Sequence, residues 1–78
     1  MTAVSRASEE LAQLGRAIAR VRRNQGLTQE GLAELSGLHR TYVGSVERGR
    51  RNPTYLSLLA VARGLKVDLS ELIGLVER

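Results

Sequence analysis

An all-α fold of five short helices is predicted by three features of this 78-residue sequence. Aromatic residues make up only 3% of the chain, and neither Phe nor Trp occurs, so that Leu, Ala and Val must form a core of closely packed helices. Apolar residues recur at spacings of three and four, which is the period of an α-helix. Glycines and the capping residues Ser, Thr and Asp divide this pattern into segments of helical length.

The first helix is expected to open the folded part of the chain. We predict that residues 1–7 are a flexible N-terminus and that residues 8–78 form one small domain. Ser8 is a candidate N-cap, Glu9 lies in the first turn, and Gly26 can form a left-handed C-cap. The apolar positions between them follow the helical period: Leu11, Leu14, Ile18 and Val21.

The second and third helices are predicted to form a helix-turn-helix over about residues 28–48. Thr28 is the N-cap of a helix that runs to about Ser36, and the third helix covers about residues 39–48. Gly37 can take the positive φ that a tight turn between them requires. One narrow face of each helix is apolar and the other polar, and the apolar residues are Leu32, Ala33, Leu38, Val43 and Val46.

Two further helices complete the pattern. The fourth begins at Thr54 or at the proline before it and ends at Gly64. Asp68 and Glu71 resemble a capping box that opens a last helix of about residues 69–77. The apolar repeat of the fourth helix consists of Leu56, Leu59 and Ala60.

The composition excludes several classes of protein. Without cysteine there is no disulfide framework and no thiolate metal site, and a single histidine without a free pair of carboxylates does not make an enzyme active site. No apolar run approaches the roughly 18 residues of a membrane span, and no signal-peptide pattern opens the chain. We expect a cytoplasmic protein that is not an enzyme and holds neither metal nor cofactor.

The net charge of +4 is concentrated on the predicted helix-turn-helix and its borders. From Arg20 to Arg51 there are seven arginines and three glutamates, whereas the rest of the chain has five basic and five acidic residues. A face with this excess is expected to meet a polyanion such as double-stranded DNA. The alternative is an arginine-rich face that is only solvated.

Candidate base-reading residues lie on the exposed leading face of the third helix, if that helix enters the major groove N-terminus first. They are Arg40, Thr41, Gly44 and Ser45. Arg40 is the strongest candidate because a guanidinium can bond guanine O6 and N7 together. Its alternatives are a phosphate contact and an intrahelical pair with Glu47. Gly44 lacks a side chain, which would allow the backbone to approach DNA closely.

Residues that flank this face are candidates for contacts to backbone phosphates, which fix the register of a protein on DNA. For Tyr42 the alternative is that its ring packs on the domain, and for His39 it is helix capping. As the sole histidine, His39 has no partners for a metal. The candidate phosphate contacts are Gln29, His39, Tyr42, Arg48, Arg50, Arg51 and Asn52.

Short motifs along most of the chain resemble the Cro/repressor-type helix-turn-helix family, also called the xenobiotic-response-element family. They are Arg22, G-L-T-Q-E from Gly26, L-A from Leu32, S-G-L from Ser36, E-R-G from Glu47, R-N-P from Arg51 and G-L-K-V-D-L-S-E-L from Gly64. The resemblance covers roughly Leu11 to Leu75 and is specific because the motifs occur together. It implies a compact, λ-repressor-like DNA-binding domain.

Within this family, the segment H-R-T-Y-V-G-S-V-E-R-G from His39 looks most like the small controller proteins of restriction-modification systems. Those proteins are dimers that regulate their own operon and the endonuclease gene. The resemblance therefore implies a dimeric regulator on an inverted-repeat operator. A phage-type repressor and an operon-repressing antitoxin remain alternatives, as does a protein-protein interaction module of the same fold that does not read DNA.

The resemblance also implies two structural roles. Arg22 and Glu47 are expected to form a salt bridge that ties the first helix to the end of the third. The apolar stripe of the last helix either packs within the domain or forms a two-fold dimer contact, and the small dimeric repressors favour the dimer. This stripe consists of Leu69, Leu72, Ile73 and Val76. Ser36 departs from the family, which has an apolar residue there, and Leu35 is expected to take the core position.

Overall fold

Five α-helices form the part of the chain that the structure describes, residues 5–77 of a computed structural model. They are α1 Arg6–Asn24, α2 Gln29–Ser36, α3 Arg40–Glu47, α4 Tyr55–Gly64 and α5 Leu69–Gly74. No strand occurs between residues 5 and 77. The predicted all-α fold with five helices is confirmed. No helix in this range combines the length and the apolar character needed to span a membrane.

The first helix begins earlier than predicted. Ser5, not Ser8, is the N-cap, and its hydroxyl accepts a hydrogen bond from the Ser8 backbone N–H at 3.0 Å. Ser8 is therefore inside the first turn, and residues 5–7, which the prediction placed in the N-terminal segment, belong to the cap and the first turn of α1. The remainder of that prediction, residues 1–4, lies outside the described residues.

Local capping signals set most of the other helix ends. Thr28 caps α2 by accepting from the Gly31 N–H at 2.9 Å, and Gly37 takes the left-handed conformation in the turn, with φ of 70°. The capping box of Asp68 and Glu71 is present at the start of α5. These local signals were readable in the sequence because each involves residues at most four positions apart.

The fourth helix ends at Gly64 as predicted, and the left-handed residue that follows it is Lys66, with φ of 58°. Gly64 instead allows close packing, because an added Cβ would lie 3.1 Å from Leu32 Cδ1. The last helix ends at Gly74 and not at about residue 77.

The core lies where α2 packs between α3 and α4, with α1 against α3 and α5. Its largest fully buried side chains are Ile18, Leu32, Leu65 and Leu72. Leu56 is part of the predicted apolar repeat of α4 but lies outside this core, because 74% of it is exposed. Leu35 is also exposed, and Ser36 keeps the inner position by donating from its hydroxyl to the Leu32 carbonyl at 2.7 Å.

Candidate nucleic-acid interface

The start of α3 is the exposed leading end of the helix-turn-helix. His39, Arg40 and Thr41 are all exposed there, and His39 occupies the N-cap position without a capping hydrogen bond from its side chain. The capping role considered for His39 is therefore not found. The packing of α2 against α3 fixes the position of the first turn of α3, which is open to solvent.

Gly44 differs from the expectation that it faces DNA. It is buried, and an added Cβ would lie 3.1 Å from Arg48 Nη1 and 3.3 Å from Gln29 Oε1. These two side chains cover the glycine, so its backbone is not open to close approach by DNA. Ser45 is half-buried, and Arg48 Nη2 lies 3.5 Å from its hydroxyl.

A buried ion pair fixes α1 against the end of α3. Arg22 Nε and Nη2 bond the two carboxylate oxygens of Glu47 at 2.7 and 3.0 Å, and both side chains are almost fully buried. Arg22 Nη1 also donates to the Leu27 carbonyl at 2.8 Å. The hydrogen bonds that Arg22 donates to Glu47 raise the pKa of Arg22 above its ordinary value, against the opposing effect of burial.

Gln29 joins this pair, which the sequence reasoning did not foresee. Its Nε2 donates to Glu47 Oε1 at 3.0 Å, so that Glu47 receives three hydrogen bonds from two helices. An amide NH₂ has two donors, so a second N–H of Gln29 is left for another acceptor. The network thereby positions the first side chain of α2 relative to α3.

The candidate phosphate contacts after α3 are solvent-accessible. Arg48, Arg50, Arg51 and Asn52 are exposed, and the Arg51 guanidinium lies 5.9 Å from the centre of the Tyr42 ring. Tyr42 is half-buried and packs against the core cluster, in agreement with the packing alternative for its ring. Arg51 and Tyr42 thus form a cation–π contact at the edge of α3.

The predicted dimer stripe divides into buried and accessible residues. Leu72 is 0% exposed and belongs to the protomer core, so it cannot contribute its side chain to a dimer surface, and that assignment is wrong. Leu69 packs partly against the same core. Ile73 and Val76 are half-buried, and Leu75 between them is 46% exposed. Periodicity alone could not separate these positions because the core takes one side of a helix of only six residues.

Two features near this surface were not among the predicted site residues. Arg16, Arg20 and Arg23 on α1 face a cavity beside α2, although their helical spacing is visible in the sequence. Gly15 lies where α1 crosses the end of α3. No sequence signal distinguishes this glycine from one in an open helix. Within residues 5–77, no three metal-ligating side chains come together.

Comparison with known proteins agrees with this geometry. The model of the helix-turn-helix family matches residues 18–72. An uncharacterized HTH-type transcriptional regulator, y4dJ, from Sinorhizobium fredii is 47% identical over 60 residues, which cover 77% of this chain and 78% of that protein. The control protein C.SmaI from Serratia marcescens is 53% identical over 47 residues, which cover 60% of this chain and 56% of that protein.

The fold is also similar to a solved controller structure. The restriction-modification controller protein C.AhdI from Aeromonas hydrophila superposes with a TM-score of 0.81 and 44% identity, covering 82% of this chain and 97% of that one. These relatives are an HTH-type transcriptional regulator and two controller proteins. The match to the family model includes α2, the turn and α3, the elements that carry the exposed leading end. The chain therefore belongs to the helix-turn-helix family of DNA-binding transcriptional regulators.

Proposed function

We propose that this protein is a homodimer that binds an inverted-repeat operator through α3 and controls the operon of a restriction-modification system, including its own gene. The observation that carries the proposal is the exposed first turn of α3 on a base fixed by the Arg22–Glu47 pair. Similarity to controller proteins supports the choice of operon. A role on such an operator requires the compartment that holds the DNA, the bacterial cytoplasm.

In this proposal base reading belongs to Arg40 and Thr41. Both are exposed in the first turn of α3, where the recognition helix of this motif contacts base edges. Arg40 bonds the O6 and N7 atoms of a guanine, and Thr41 offers a methyl group to thymine or a hydroxyl to any base. Ser45, half-buried one turn further along, is a secondary contact.

Phosphate contacts hold the helix in register. The exposed cations Arg48, Arg50 and Arg51 lie directly after α3, and Gln29 begins α2, whose N-terminus carries partial positive charge. His39 and Asn52 extend the contact on either side of α3. Tyr42 supports this region by holding Arg51 over its ring.

The dimer contact proposed from the sequence needs a revised surface. We assign it to the accessible residues at the end of α5, namely Ile73, Leu75 and Val76, together with Leu56 on the adjoining α4. Leu69 lies at its edge, and burial removes Leu72. A two-fold contact of this kind sets two recognition helices about 34 Å apart, one turn of DNA.

Charged substitutions test this dimer surface. Because the side chains are 74% and 46% exposed, Leu56→Glu and Leu75→Glu should fold normally, yet each should raise the dimer dissociation constant at least about tenfold by placing charge in an apolar contact. Sedimentation equilibrium measures this constant. Leu35→Glu, at a 53% exposed leucine of α2, is the matched control and should leave it unchanged. If all three variants had the same dimer dissociation constant, the assigned surface would be refuted.

Selection of operator DNA tests the function itself. From random duplexes, the purified protein should enrich a two-fold symmetric site, and Arg40→Ala should relax the choice of one symmetric base pair, at a cost of about 1–3 kcal/mol for each such contact. If no site is enriched and all duplexes bind equally weakly, the fold serves as a protein interaction module instead. Genes that neighbour the coding sequence decide between restriction-modification, phage and antitoxin operons.

No effector molecule is part of the proposal. The signal is the concentration of the protein, since dimerisation and operator binding are coupled equilibria that both depend on it. Activation or repression then follows from the position of the operator relative to the promoter.

A further inference from the structure

A cavity between α1 and the helix-turn-helix contains arginines that the contacts described above do not use. Its volume is about 340 Å³. Four positions of α1 line one side, and the helix-turn-helix supplies the other. The lining residues that carry the argument are Arg16, Ala19, Arg20, Arg23, Gln29 and Arg48.

The spacing of the α1 residues explains the shape of the cavity. Positions 16, 19, 20 and 23 differ by three, four and seven, so their side chains share one face of the helix. Ala19 is short and buried, which leaves room between the long side chains of Arg16 and Arg23. The three arginines thus line one space beside α2.

The carboxylate in the wall does not cancel these charges. Glu47 lines the cavity, but its two oxygens are already bonded by Arg22 and Gln29, and its charge is balanced by the buried Arg22 guanidinium. The N-terminus of α2, which begins at Gln29, adds partial positive charge. The cavity is therefore cationic.

The arginines at the rim are not all engaged within the protomer. Arg20 Nη2 bonds Glu77 Oε1 at 2.8 Å, but both side chains are exposed, and such pairs are weak. The side chains of Arg16 and Arg23 have no hydrogen bond or ion pair with any residue from 5 to 77. Interaction with the helix dipole accounts for Arg23 in the last turn but not for Arg16 at the middle of α1.

We propose that this cavity binds a backbone phosphate of DNA, with Arg16 and Arg23 on one side and Gln29 and Arg48 on the other. The inference rests on the proposed function and extends it, because α1 becomes a third DNA-contacting element beside α2 and α3. Two protomers on one operator add two such contacts. They strengthen binding to any sequence and leave the choice of bases to α3.

Salt dependence measures these contacts directly. The double variant Arg16→Gln/Arg23→Gln is compared with Arg6→Gln/Arg63→Gln, which removes the same charge at exposed positions away from the cavity. Binding is titrated with salt on the selected operator and on an unrelated duplex, and thermal melts verify that both variants fold. Since each phosphate contact contributes about 1 to the slope of log K against log[salt], the cavity variant should lower the slope by about 2 per dimer.

The affinity of the cavity variant should fall at least about tenfold on both duplexes, with the ratio between them unchanged. Equal slopes and affinities for the two double variants would overturn the cavity assignment while leaving the proposed function intact. Binding of tripolyphosphate is measured for the same proteins. If the cavity variant loses tripolyphosphate binding while its salt slope on DNA is unchanged, the cavity binds a free anion and the assignment to DNA is overturned. A wild-type protein that binds no duplex would refute both proposals.

Discussion

Replacing Glu47 by alanine is expected to lower the free energy of unfolding by about 3–5 kcal/mol, because it leaves the Arg22 guanidinium buried without its counter-charge. Glu47 accepts all three hydrogen bonds that join α1, α2 and α3 at this point. Its loss also frees Gln29 at the start of α2. Urea denaturation followed by circular dichroism measures the change in stability.

DNA affinity should fall in the same variant mainly because less protein is folded. Glu34→Ala, at an exposed glutamate of α2, removes the same charge and should leave both stability and operator affinity near the wild-type values. A Glu47→Ala protein that melts like the wild type yet has lost DNA binding would contradict this account. It would make the carboxylate part of the recognition surface instead.

Replacing both members of the buried pair by apolar residues should cost little stability. Arg22→Met combined with Glu47→Leu takes away both charges and leaves apolar groups of similar size, which is often neutral when a buried pair is replaced. Because the pKa of Arg22 is raised in the folded protein, the stability it contributes is fully present below the pKa of free arginine and is lost as the pH rises through the higher folded-state pKa. Stability from this arginine should therefore not change across neutral pH.

Features that depend on near neighbours in the chain were predictable from the sequence. The cap at Thr28, the left-handed turn at Gly37 and the box of Asp68 and Glu71 each involve residues at most four positions apart. The physical cause of such features lies in residues that are close together in the chain. The same holds for the exposed first turn of α3, because its polar side chains follow directly after the turn.

Features that depend on the crossing of helices were not predictable in this way. Leu72 and Leu56 both occupy positions of an apolar repeat, yet Leu72 is buried in the core and Leu56 is exposed. Only tertiary packing decides which side of a short helix is covered. The position of Gly44 on α3 predicts that it faces DNA. Gln29, fifteen positions earlier, is brought over it by the fold.

The junction of α1 and α3 is the clearest case, and it yields the second large prediction. An added Cβ at Gly15 would lie 2.5 Å from the Val46 carbonyl oxygen and 2.7 Å from the Glu47 carbonyl carbon. These are backbone atoms, so that α3 must move before a methyl group can fit. Gly15→Ala should destabilise the protein by about 3 kcal/mol, although alanine is the better helix former. Thermal unfolding should show a midpoint lower by on the order of 15 °C.

Gly74→Ala is the matched control, because no atom lies within 4 Å of the added Cβ at the end of α5. It should leave stability unchanged or raise it slightly by helix propensity. If Gly15→Ala instead melts at or above the wild-type temperature, α1 and α3 are not in close contact in solution. The close crossing would then not be what holds Glu47 and Arg48 in place, and the fixed base assigned to the first turn of α3 would have to come from α2 alone.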